Sequence, residues 1–239
     1  MARVPAPLAS FRKLFGVTRC AVIGMIHVQA LPGSPLNASS INDIVADAVE
    51  QAHIYRDSEV DGVLVENMND VPYTLRESPE VTASMVRICQ SVRETVGPTL
   101  PCGVQILAAQ NRAACAVAAA SNFNFIRVEG FVFGHIADEG EVNACAGELL
   151  RYRKSLGSFA ENVAIFCDIK KKHSAHAITG DVSIADTARN ADLFMADGLI
   201  VTGNATGLEP SESDIEEVAS AVPQQPLILG SGVTSDNVR

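Results

Sequence analysis

From residue 20 onward the chain alternates two hydrophobic patterns. Short, nearly continuous apolar runs give way to polar or glycine-rich loops, and then to stretches whose apolar residues recur every three to four positions. Seven runs predict strands: "CAVIGMIHV" (20–28), "DGVLVE" (61–66), "CGVQIL" (102–107), "FNFIRVE" (123–129), "VAIFCDI" (163–169), "DGLIVT" (197–202) and "PLILG" (226–230). Runs apolar at successive positions suit parallel strands covered on both faces. Between them, "INDIVADAVEQAHIYRD" places Ile41, Ile44, Val45, Ala48, Val49 and Ala52 along one side, behind Ser40 and Asp43 at capping-box spacing. "PEVTASMVRICQSVRETVG" repeats Val81, Met85, Ile88, Cys89 and Val92 and is stopped by Gly97 and Pro98. Ser183 with Asp186, and Ser211 with Asp214, repeat the cap spacing. The stretch 131–160 predicts a loop and the helix "CAGELLRYRKSLG".

Strands alternating with helices admit an open doubly wound sheet or a (β/α)8 barrel. The carboxyl ends of the runs carry His27, Glu66 and Asn67, Gln105, Arg127 and Glu129, Asp168 and Lys170, Thr202 and Asn204, and Ser231. Polar groups at every strand end are what a barrel mouth requires, because all its βα loops converge there. An open sheet concentrates them at one switch point, and no early G-x-G-x-x-G is present. The fold expected is therefore an α/β barrel of the (β/α)8, or TIM-barrel, type. Only seven strands are counted, so residues 20–239 read as a single barrel domain lacking its last βα unit. An unclosed barrel exposes strand edges, so low stability in isolation is the corresponding expectation.

Residues 1–19 read differently. The first acidic residue is Asp43, and "MARVPAPLASFRKLFGVTR" is basic and interrupted by Pro5 and Pro7. That pattern predicts a leader plus a first turn, with mitochondrial targeting as one expectation and a cytoplasmic location as the other. No apolar run approaches the roughly 18 residues of a membrane span. The net charge of −10 argues against a general nucleic-acid binder but permits a small anionic ligand held locally. Six cysteines lie far apart without a Cys-x-x-Cys pair, which suits buried thiols better than a metal or disulfide framework.

Several strand-end residues carry candidate chemistry. His27, followed by the turn-rich "VQALPGSP", is a candidate acid/base or ligand donor; a histidine satisfied by a loop carbonyl is the alternative. Glu66 is the candidate base beside Asn67, a ligand-orienting amide or a loop cap. Arg127 and Glu129 share a face by alternation, either as a structural ion pair or with the guanidinium clamping an anion. Asp168 is a candidate acid/base and Lys170 a candidate amine, including for Schiff-base chemistry. "KKKH" reads alternatively as a solvated charge run. "TGNATG" offers Thr202, Gly203, Asn204, Thr206 and Gly207 to a sugar or phosphate. Gly230, Ser231 and Gly232 of "GSGVTSDNV" read as half of an anion loop after the seventh strand. Convergence of His27, Glu66 and Asp168 on a metal has no support from local spacing, and no cofactor is indicated.

Together "IGMIHVQALPGSP" (23–35), "DGVLVENMNDVPY" (61–73), "FIRVEG" (125–130), "DIKKKHSAHAI" (168–178), "DGLIVTGNATG" (197–207) and "LGSGVTSDNV" (229–238) resemble the BtpA/SgcQ family in order and spacing. The resemblance implies a TIM-barrel-like fold, an association with photosystem I biogenesis in cyanobacterial members, and an eighth strand with a glycine loop in full-length members. The expected function is a metabolic enzyme (a lyase, isomerase or glycoside-cleaving enzyme) binding a small phosphorylated sugar or nucleoside-like metabolite at the barrel mouth. A non-catalytic assembly factor for a protein complex is the alternative. Assembly into a homo-oligomer is left open.

Overall fold

All seven apolar runs form strands, each shorter than its run because the flanking residues are needed for turns. The computed structural model describes residues 7–203, 205, 207–234 and 236–238. By internal contacts the chain forms two compact units, one of Arg12–Arg127 with Glu148–Ala164, the other of Met1–Phe11, Val128–Gly147 and Ile165–Arg239.

In the first unit, parallel strands β1 (Ile23–His27), β2 (Gly62–Glu66), β3 (Cys102–Gln105) and β4 (Phe125–Val128) lie in chain order. Helices α2 (Ile41–Asp57), α3 (Pro79–Val96) and α4 (Asn111–Ala120) connect them. The predicted capping box closes α2: Asp43 N donates to Ser40 Oγ at 3.2 Å, and Ser40 N donates to Asp43 Oδ2 at 3.3 Å. A Cβ on Gly24 would strike the Tyr55 ring of α2, so this side of β1 faces the helix layer. Met25 and His27 alternate to the other face. On that face Gly103 lies beside Phe125, a fully buried ring, and a Cβ added there would overlap it. Gly103→Ala is therefore expected to cost about 2 kcal/mol through overpacking. Urea unfolding checks this, and an unchanged midpoint would contradict the packing.

At the opposite strand ends Arg93 of α3 is buried. It donates to the carbonyls of Gly97 and Leu100 and to Asn124 Oδ1 at 2.8–3.0 Å, and covers the Phe123 ring. Asn124 Oδ1 also accepts from Cys102 N, so one guanidinium ties a helix end to two strand starts.

The expected leader contains a helix, α1 (Pro7–Phe15). Pro7 opens it rather than breaking it, since the first helical position needs no N–H. Phe15 is buried 5.8 Å from the Phe125 ring centroid. Residues 1–6, including Pro5, lie outside the described residues.

The second unit carries parallel strands β7 (Ala164–Asp168), β9 (Gly198–Thr202) and β10 (Leu227–Gly230), in that order, with α6 (Ile184–Leu193) and α7 (Glu212–Ala221). Ser183 and Ser211 cap these helices, accepting from Asp186 N and Asp214 N as their spacing predicts. Stretch 131–160 does form its helix, α5 (Ala146–Ser155), but its loop is replaced by a small antiparallel sheet. Strands β5 (His135–Ala137), β6 (Gly140–Val142) and β8 (Ser174–Ala175) pair in the order β6-β5-β8. Two or three residues per strand carry too little periodicity to be read from sequence.

Candidate functional site

The strand-end residues of the first unit form one row. Register pairs His27 with Glu66 and Glu66 with Gln105, and the next step of the β3–β4 register sets Gln105 beside Arg127. Residues in register on neighbouring parallel strands point to the same side, so all four occupy the face opposite the one that packs on α2. His27 Nε2 stands 3.6 Å from Glu66 Oε2, longer than a hydrogen bond but within ion-pair distance for a protonated imidazole. Glu66 is buried and the His27 side chain half-exposed. Gln105 is also buried, and its Oε1 has no hydrogen-bond partner among the described residues. Arg127 is half-buried.

Asn67 is not available in the same way. Fully buried, it accepts from Leu107 N at 2.7 Å and donates to Leu107 O and Asp70 Oδ2 at 3.4 and 3.3 Å. Its carboxamide holds the loops after β2 and β3 together, so the cap-like reading describes it better than ligand orientation. A cavity of about 380 Å³ lies among the loops after β1 and β2, lined in part by Gly33, Asp70, Arg76, Glu77, Ser78 and Glu80. Its carboxylates outnumber its one guanidinium, so charge does not mark it as an anion site.

The second unit gathers a different set. Asp168 ends β7 and is buried. The strand stops there, and Lys170 takes a left-handed φ of 47°, so Asp168, Lys170 and Lys172 do not continue one face by alternation. Lys170 Nζ donates to Thr179 O at 3.0 Å. Glu129 pairs with Lys171, at 3.0 Å and with both side chains about a tenth exposed. Its partner is thus a lysine read as part of a solvated run, and two residues sequence reasoning missed, Lys171 and His135, belong to this cluster. His176 Nε2 lies 3.0 Å from Lys171 O, and its ring centroid is 5.3 Å from that of His135. The sequence signal available for Lys171 was its place two residues after the apolar run 163–169; His135 offered none.

Thr202 Oγ1 accepts from Lys172 N at 3.3 Å, and Gly230 is its register partner on β10. The glycines that follow approach the chain's own backbone. A Cβ on Gly203 would lie 2.6 Å from Glu209 O, and one on Gly232 (φ 68°) would lie 2.6 Å from Glu209 N. Gly207 N donates to Ser231 Oγ at 2.9 Å. The close approach expected for an anion is thus made by residues 208 and 209. Asn204 and Thr206 lie outside the described residues.

Burial first, then His176 and Lys171, push His135 from the ordinary histidine value of 6.5 down to about 4, with Asp168 opposing. His135 is neutral at neutral pH. Below about 6.5 the unfolded chain takes up this proton while the folded chain resists until about 4. The stability this histidine contributes is therefore complete above 6.5 and lost as pH falls from 6.5 to 4. The urea midpoint of the wild type should fall across that window more steeply than that of His135→Phe; parallel slopes would remove His135 from the account. Burial likewise pushes the thiols of Cys89 and Cys167 well up and that of Cys102 to about 12. None of the six cysteines is in a disulfide: Cys89, Cys102, Cys115 and Cys167 are buried, Cys145 is half-buried and Cys20 is exposed.

Among the described residues, seven parallel strands with connecting helices, and polar residues at their carboxyl ends, define the TIM-barrel class. The chain belongs to the BtpA family, whose model matches residues 18–239. It is 48% identical to an uncharacterized mitochondrial protein of Caenorhabditis elegans, over 95% of this chain and 82% of that one. It is 32% identical to the photosystem I biogenesis protein BtpA of Synechocystis, over 92% and 75%. Among solved structures it resembles a 2,3-dimethylmalate lyase of the PEP mutase/isocitrate lyase superfamily, with TM-score 0.55 and 10% identity over 96% of this chain and 75% of the other. A Schiff base-forming fructose-1,6-bisphosphate aldolase gives TM-score 0.51 and 10% identity over 97% and 82%. At such identities the likeness shows the fold alone and bears out the barrel reading, while the family match bears out the resemblance carried by the motifs. Among the described residues no helix is long and apolar enough to cross a membrane, and no group of three or more His, Cys, Asp or Glu could hold a metal ion.

Proposed function

We propose that this protein is a metabolic enzyme acting on a small anionic metabolite, of the sugar-phosphate or nucleoside type, at the carboxyl ends of its strands. The observation that carries this reading is the row His27–Glu66–Gln105–Arg127, four polar side chains on one face of adjacent parallel strands. In it Glu66 is the acid/base group, with His27 beside it. Arg127 supplies the planar guanidinium that grips a phosphoryl or carboxylate group. Gln105 Oε1 accepts a hydrogen bond from a ligand hydroxyl. Asp168 and Lys170 are the proposed catalytic groups of the second unit, with Thr202 and Ser231 as proposed ligand contacts. The lyase and aldolase activities of the fold neighbours favour carbon–carbon or carbon–oxygen bond cleavage as the reaction class.

The test is incubation of the protein with a panel of sugar phosphates and nucleotides, followed by mass spectrometry of the mixture. Consumption of one member is expected, and its loss in Glu66→Gln would assign the chemistry. The name of the Synechocystis relative favours a second reading, a non-catalytic assembly factor, and a mitochondrial location is proposed from the Caenorhabditis elegans relative. A panel left wholly intact, with one protein recovered stoichiometrically on the immobilised chain, would decide for the second reading.

A further inference from the structure

A recess of about 20 Å³ in the second unit is lined by His135, Asp168, Lys170, Lys171, His176 and Thr179, among others. That volume admits about one water-sized group. His135 is 5% exposed, and its Nε2 is buried with no hydrogen-bond partner among the described residues. Buried polar atoms are nearly always paired, so an orphan in the wall of a recess points to a ligand atom that completes it. The lysines add unused donors. Each ammonium carries three N–H groups, and Lys170 gives one to Thr179 O and Lys171 one to Glu129. The charges balance, because Lys170 and Lys171 are matched by Asp168 and Glu129, and His135 is neutral. Donors in excess without net positive charge suit an uncharged oxygen rather than an anion.

We propose that this recess is a subsite for one uncharged oxygen of a ligand, a hydroxyl or a carbonyl, with His135 Nε2 as its hydrogen-bond partner. The recess is small for a whole phosphoryl group, and the charge balance disfavours a carboxylate. A neutral imidazole holding a carbonyl oxygen would also polarise it without transferring a proton, so the subsite fits ligands whose reacting carbon bears that oxygen.

The experiment is a titration of the full chain, labelled with nitrogen-15 histidine, following the His135 ring resonances. The probes are glycerol for the hydroxyl, dihydroxyacetone for hydroxyl and carbonyl together, and formate as the charged counterpart. Glycerol or dihydroxyacetone should displace the His135 resonances saturably, and formate should leave them in place. His135→Phe should weaken the binding of the effective probe, followed at a neighbouring resonance, by roughly tenfold or more, and His135→Gln should recover part of it. Displacement by formate alone, or by none of the three, would overturn the proposal, and the wild-type titration decides it even if a variant fails to fold. The outcome is separate from that of the row on the first unit, since that reading is scored by turnover and Glu66→Gln.

Discussion

Lys171→Met is expected to destabilise the protein by about 3 kcal/mol, the low end of what removing one partner of a buried ion pair costs. The Lys171 and Glu129 side chains are only about a tenth exposed and meet at 3.0 Å. Once the ammonium is gone, the Glu129 carboxylate stays in a place largely shielded from water. Its charge is then either carried at a desolvation cost or neutralised by a proton taken up at a cost in stability. Taking away both charges should be far milder, because the penalty lies in the imbalance. The double variant Lys171→Met/Glu129→Gln is therefore expected to recover most of the loss. Urea unfolding of the four proteins gives the coupling energy directly. Simple addition of the two single effects would show that the pair contributes nothing as a pair.

Glu66→Gln is expected to act on function instead. Gln keeps the shape of Glu66 and its place beside His27, so stability should change by less than about 1 kcal/mol. What it removes is the proton-accepting carboxylate, and loss of a positioned acid/base group lowers turnover by about 10²- to 10⁴-fold. The change should appear in kcat with little change in KM, because the amide still fills the same place at the end of β2. A variant that turns over the substrate at the wild-type rate would exclude Glu66 as the base.

The strands were legible because each is apolar at nearly every position, as in "VAIFC", and a parallel strand covered on both sides leaves that mark. The row on the first unit follows from the strands, since His27, Glu66 and Gln105 are the last polar positions of three runs and Arg127 is the last but one of the fourth. Other features depend on three-dimensional surroundings. Lys171 stands in a run of three lysines, and only the return of Glu129 from another segment distinguishes it from its neighbours. His135 lies in a three-residue strand whose partners are equally short. For Gly203 and Gly232 the sequence implied a close approach but not its object, which is the backbone of residues 208 and 209. Asn67 was located at the right strand end, yet the same amide that could orient a ligand holds Leu107.

The central claim is that the carboxyl ends of these strands bind a small metabolite, and ligand-dependent thermal shift of the protein with sugar phosphates and nucleotides tests it most directly. At least one compound should raise the melting temperature of the wild type, Arg127→Gln should lose most of that rise, and Glu66→Gln should keep it. No shift with any compound, or a rise unchanged in Arg127→Gln, would contradict the account.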